Sequence, residues 1–186
     1  MNVSANPVPA ARPVWSLALR LMHWTLALSM MASFVTHEGG GWIHEWTGYL
    51  ALAVACVRVL LGLFASGNWR FASFVRGMDT TWAYARAVWR RREPHFLGHN
   101  PLGGWMVLAL LANLGALGFT GWLYTTDMFW GYGWLADLHQ ALAWALLALV
   151  ALHIAGMLWT SRAHRENLVR AMFTGRKAAA RGDDVA

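Results

Sequence analysis

Four long apolar runs divide the chain: Val14–Val35, Trp42–Phe64, Leu102–Tyr124 and Ala136–Thr160. Each is long enough to cross a hydrocarbon core, which takes roughly 20 helical residues. The first two are separated only by the glycine-rich His37-Glu38-Gly39-Gly40-Gly41, so they are expected to form an antiparallel hairpin. Asn100-Pro101 fits the start of the third helix, because proline in a first turn gives up an N–H that would lack a helical partner anyway. Between the second and third runs the pattern changes. Phe71, Phe74, Val75, Met78, Trp82, Ala85 and Trp89 recur at three- and four-residue steps, with Arg76, Asp79, Arg86 and Arg90 on other faces. This predicts an amphipathic helix over residues 71–92, lying on the inner leaflet or packed across the end of the bundle. The expected fold is all-α, an integral membrane four-helix bundle forming a single membrane domain over residues 1–186.

Composition agrees. Apolar residues make up 58% of the 186 and charged residues 13%, about half the charged share of an ordinary soluble domain. The lone Cys56 lies in an apolar run, which excludes a zinc–thiolate or iron–sulfur centre built from this chain alone. The net charge of +6 does not call for nucleic acid, since no nucleic-acid motif is present and the basic residues follow a membrane pattern. Arg70, Arg76, Arg86, Arg90, Arg91 and Arg92 link the second and third spans, and Arg162, Arg165, Arg170, Arg176, Lys177 and Arg181 fill the tail. The opposite loops, Thr36–Gly41 and Thr125–Leu135, hold no Lys or Arg. Both termini are therefore expected in the cytoplasm. Trp42, Trp46, Trp122, Trp130 and Trp134 gather at the outer interface, where an aromatic belt belongs. Residues 1–11 hold no basic residue, so the first span is read as a retained helix and not a cleaved signal.

Ionisable groups inside a bilayer are costly and call for a functional explanation. Of eight histidines, His23, His44, His139 and His153 fall within the spans. His139 and His153 are 14 residues apart, which puts them on one helix face about 21 Å apart along the axis. That suits two stacked sites and not one binuclear centre, whose ions lie about 4 Å apart. By depth, His23 can meet His153 near the inner side and His44 can meet His139 near the outer side. His37 is a rival outer ligand, also 14 residues from His23, although Glu38 and three glycines end its helix. A single membrane histidine often just bonds a carbonyl across helices; four at two matched depths argue for cofactors. Two imidazoles from opposite helices complete a six-coordinate haem iron suited to electron transfer. Zinc would want further ligands that neither depth supplies.

Other residues fit a haem pocket less specifically. Gly48 lies one turn below His44, and Gly115, Gly118 and Gly121 could open a groove on the third span, although small residues also serve plain helix packing. Arg58, 14 positions after His44, could pair with an inner haem propionate or snorkel to headgroups. Arg20 is a second candidate for the same role. His99 and Asn100, at the inner interface, are candidates for a quinone pocket or a helix cap.

Arg20-Leu21-Met22-His23-Trp24, Ile43-His44 with Gly48 and Arg58, and Leu138-His139 through His153 resemble the bacterial cytochrome b561 superfamily. Gly98-His99-Asn100-Pro101-Leu102-Gly103 and Arg165-Glu166-Asn167-Leu168-Val169-Arg170-Ala171-Met172 look more specifically like the b-type cytochrome subunits of nickel–iron hydrogenases and their stand-alone relatives. The resemblance implies a respiratory-chain protein of the bacterial inner membrane. It would carry two b haems on His23, His44, His139 and His153, and pass electrons between the quinone pool and a redox partner such as a dehydrogenase or hydrogenase. It also lowers the claim of His37. Outer loops bearing Glu38, Asp127 and Asp137 without Lys or Arg would attract a basic periplasmic cytochrome c. The alternative is a superoxide oxidase that reduces ubiquinone. It ranks second because a fast reaction of a small anion favours a positive funnel.

Overall fold

The computed structural model describes residues 12–39, 41–96 and 98–177. The remaining ends, with the signal-peptide reading of residues 1–11 and the tail basic residue Arg181, lie outside the described residues. Four helices are long and apolar enough to cross a membrane: α1 (Leu17–Val35), α2 (Trp42–Phe64), α4 (Pro101–Tyr124) and α5 (Gly133–Ala163). A shorter α3 (Met78–Trp89) links α2 to α4, and α6 (Leu168–Thr174) follows α5. The 31 residues of α5 extend for about 46 Å, beyond the run anticipated from hydropathy at both ends.

Local chemistry sets several boundaries. The Ser16 side chain accepts from Leu19 N at 3.3 Å and starts α1. Asn100 accepts from Gly103 N at 2.7 Å, with Pro101 in the first turn, and starts α4. Asn167 does the same for α6, which ends on Gly175 at φ 75°. Each cap satisfies an N–H that the helix itself cannot.

The helix anticipated over residues 71–92 is shorter than its periodicity suggests. Gly67–Trp69 and Phe71–Ser73 are 3-10 turns, and the α-helix begins only after Gly77. The early apolar residues are used differently. The Phe71 ring lies where a Cβ on Gly62 would be, and the Phe74 carbonyl lies 2.9 Å from where one on Gly104 would be. Both contacts seat the linker under the bundle. Helix α3 turns the buried Thr81 and Tyr84 inward and leaves Met78, Trp82 and Trp89 exposed.

Helices α1 and α2, α2 and α4, and α4 and α5 pack as neighbours. Ala51, Ala55, Leu111, Leu114 and Leu146 form the core. Gly118 faces Leu52 of α2 so closely that a Cβ would meet it at 2.8 Å; this glycine serves helix packing and opens no groove. The fourth side of the square is loose. Helix α5 runs opposite α1 and α2 without close backbone packing, and a slot separates them.

The described ends of the chain meet at the basic end of the bundle. Strand β1 (Arg12–Pro13) pairs antiparallel with β2 (Arg176–Lys177), and Val14 N and Trp15 N donate to Gly175 O. Beneath this clasp, Lys177 Nζ lies 3.6 Å from Glu166 Oε2, which also faces His95 Nε2 at 3.1 Å.

Candidate functional site

The slot is lined by histidines at two levels. Near the loops without basic residues, His44 of α2 faces His139 of α5 with ring centroids 6.2 Å apart. Near the basic end, His23 of α1 faces His153 of α5 at 6.4 Å. An imidazole nitrogen sits about 2 Å from a bound first-row metal. Two such bonds, with half a ring on each side, separate the centroids by about 6 Å. Both pairs are spaced so that their imidazoles could hold one metal ion between them.

The His44–His139 pair has its tautomer set by its hydrogen bonds. Its members use Nδ1 away from the slot. His44 Nδ1 lies 2.8 Å from Ser33 O, and a carbonyl can only accept, so Nδ1 carries the proton. Thr120 Oγ1 donates to Leu117 O at 3.0 Å and therefore accepts from His139 Nδ1 at 3.0 Å. Both assignments leave the Nε2 lone pair free for a metal, the arrangement by which an outer hydrogen bond orients a ligating histidine. A Cβ on Gly121 would stand 3.0 Å from His139 Cε1, so this glycine gives the imidazole its place. Gly48 faces Ser33 Oγ at ordinary contact distance, and Gly115 has open space beside it. His37 stays on the loop, exposed, with Nδ1 donating to Phe34 O at 2.7 Å and Nε2 3.7 Å from Glu38. It does not face His139.

The two arginines occupy different positions. Arg58 is buried, donates to Trp69 O at 3.1 Å and lies 4.8 Å from the Phe71 ring centre. It is therefore already tied to the linker. Arg20 Nη1 donates to Phe173 O, while its Nε is buried with no partner among the described residues. That orphaned donor suits an acid group such as a propionate better than Arg58 does.

A hollow of about 280 Å³ opens beside the clasp, lined by Arg12, Trp15, Phe74, Arg76, Phe96 and His99. The His99 ring is held between Trp15 at 4.7 Å and Phe74 at 4.6 Å. Burial, then the charges of Arg58 and Lys177, push its pKa down to about 3, so it is neutral at ordinary pH. Asn100 caps α4 with its side-chain oxygen. Sequence reasoning passed over Ser33 and Thr120, although a hydroxyl inside an apolar run is a usable signal. It also passed over Trp15 and Phe74, which only the folded linker and clasp bring to His99.

The described residues thus fit a haem at each level: facing imidazoles at the coordination distance, a defined tautomer in the outer pair, and a slot where helix packing is interrupted. No curated protein and no solved structure matches the chain. The family model for prokaryotic cytochrome b561 does match, over residues 14–175, and the chain belongs to that family of membrane b-type haem electron-transfer proteins.

Proposed function

We propose that the protein carries two b haems in the slot, one held by His44 and His139 and the other by His23 and His153, and conducts electrons between a quinone and a redox partner. The observation that carries this reading is the pair of facing imidazoles at 6.2 and 6.4 Å. When bound, haem supplies a one-electron carrier at each level. With two imidazoles holding the iron at each level, no ligand position would remain for oxygen, which would favour pure electron transfer. Ser33 O and Thr120 Oγ1 fix the outer imidazoles through Nδ1. The 14-residue spacing on α5 sets the two carriers about 21 Å apart along the axis, so together they span most of the hydrocarbon core.

The hollow at the basic end is the proposed place for the quinone ring. Trp15, Phe74 and Phe96 offer aromatic walls, and neutral His99 offers a polar group among them. At the other end Glu38, Glu45, Asp127 and Asp137 are exposed, and the connecting loops hold no Lys or Arg. That face fits a basic periplasmic cytochrome c as the redox partner. It lacks the cationic funnel that a superoxide oxidase would favour. On this reading the basic end and both termini are cytoplasmic and the membrane is the bacterial inner membrane. A hydrogenase-type partner is the subfamily alternative carried by the two short motifs.

The test is haem stoichiometry on the purified protein. A pyridine haemochrome assay should give two b haems per chain, falling to one in His44→Ala and one in His153→Ala. One haem in the wild type would overturn the pairing.

A further inference from the structure

At the C-terminal end of α3 the chain makes an unusual turn. Arg91 adopts φ 54°, a left-handed conformation that glycine normally supplies at a helix end. Arg91 N donates to Val88 O, and Arg92 N reaches back to Ala87 O at 2.9 Å. This closed turn splits the run of arginines. Arg91 is directed to α5, where its guanidinium lies 5.9 Å from the Trp159 ring centre. Arg86, Arg90 and Arg92 instead converge on an open hollow of about 310 Å³ floored by Ala83 and Ala87. Among the described residues, none of these three arginines has a carboxylate within ion-pair distance. The carbonyl end of a helix accounts for one basic side chain. It does not account for three around a single hollow, at the cost of a strained arginine.

The same helix offers an apolar surface beside the hollow. Met78, Trp82 and Trp89 are exposed at 56%, 60% and 90%. By helical spacing they share one stripe, with Arg86 and Arg90 on its flank. The opposite side, through Thr81 and Tyr84, is buried against the bundle. Aromatic rings next to guanidinium groups, on a helix set across the end of a membrane bundle, match the boundary between acyl chains and headgroups.

We infer that Arg86, Arg90 and Arg92 form a binding site for the phosphodiester headgroup of an anionic glycerophospholipid, whose acyl chains lie along Met78, Trp82 and Trp89. The ligand class follows from charge and shape. Guanidinium groups present forked donors that match phosphate oxygens, and the alanine floor leaves room for a headgroup between them. A zwitterionic lipid carries its own ammonium into a hollow that is already cationic, so it is disfavoured. The inference rests on the reading that this end of the bundle meets a lipid leaflet, and it is independent of the haem assignment.

The test uses the full chain, purified in nanodiscs of mixed phosphatidylglycerol and phosphatidylcholine, with retained lipid read by native mass spectrometry. Wild type should retain phosphatidylglycerol in preference to phosphatidylcholine. Removing the three charges together in Arg86→Gln, Arg90→Gln and Arg92→Gln should weaken that retention by on the order of a hundredfold. A control that removes the same charge from Arg162, Arg165 and Arg170 should retain the lipid. Equal loss in the control would mean that only net charge matters and would overturn the site. Equal retention of phosphatidylcholine by wild type would overturn the anionic class. Displacement by soluble glycerol phosphate at matched concentration would assign the hollow to a free phosphate and overturn the lipid reading. Haem content on the same samples separates this outcome from any failure of the electron-transfer reading.

Discussion

Thr120 has one hydroxyl proton and commits it to Leu117 O, so it can only accept from His139. Losing that acceptor makes the imidazole a poorer electron donor to a metal. Thr120→Val, nearly the same shape, should therefore raise the potential of the haem proposed on His44 and His139. For scale, 59 mV in a one-electron couple is a tenfold change in equilibrium constant, and a shift of a few tens of millivolts is on the order that an outer-shell hydrogen bond supplies. Redox titration checks it, and unchanged potentials would mean that Thr120 only fills space. Arg58 makes the opposite case. A cation near a haem disfavours the oxidised form, so Arg58→Leu should lower the potential of the haem proposed on His23 and His153. It should also cost about 1–3 kcal/mol by freeing Trp69 O and the Phe71 stack. Arg20→Leu separates the two roles. If Arg20 is the propionate partner, that variant should move the same potential more than Arg58→Leu does.

Among the elements, the four spans were legible because a run of about 20 apolar residues has few other uses. The depth of each histidine followed from counting along those runs, and the histidines face each other in the pairs that depth suggests. Their ligand role is the proposal tested by haem counting. The linker was less legible. Its apolar residues do repeat at helical steps, but Phe71 and Phe74 are drawn out of the helix to cover Gly62 and Gly104, a tertiary demand that periodicity cannot express. The glycines of α4 show the same limit: three in a row of helical turns look alike in sequence, yet Gly118 packs on Leu52, Gly121 seats His139 and Gly115 faces open space. Filling Gly121 should therefore act on the site, not on the bundle. Gly121→Val should displace His139 and remove one haem while leaving the helical circular dichroism unchanged; loss of both signals together would mark it as a packing residue.

For the whole molecule, the buried histidine beneath the clasp links stability to pH. His99 has its pKa lowered from 6.5 to about 3. Between those values the unfolded chain binds a proton that the folded chain refuses, so stability falls as pH drops through that window and is level above it. Acidification from about pH 7 to about pH 5 should lower the midpoint of thermal unfolding in detergent. His99→Gln, which cannot titrate, should flatten that dependence. An unchanged slope would mean that His99 does not set the acid sensitivity.

The slot also fixes an order of events during synthesis. His23 is made 130 residues before the imidazole that faces it, which lies on α5. Until α5 arrives, α1, α2 and α4 can assemble as a three-sided shell with one open flank and only half of each imidazole pair. The clasp cannot latch earlier, because β1 waits for Arg176 and Lys177. The contacts that define the site and the clasp thus join residues far apart in sequence, and such contacts form slowly. Nascent chains stopped after α4 should insert and remain without haem, and chains stopped after Ala163 should load haem but lose it faster than the full-length protein, because nothing latches the open flank.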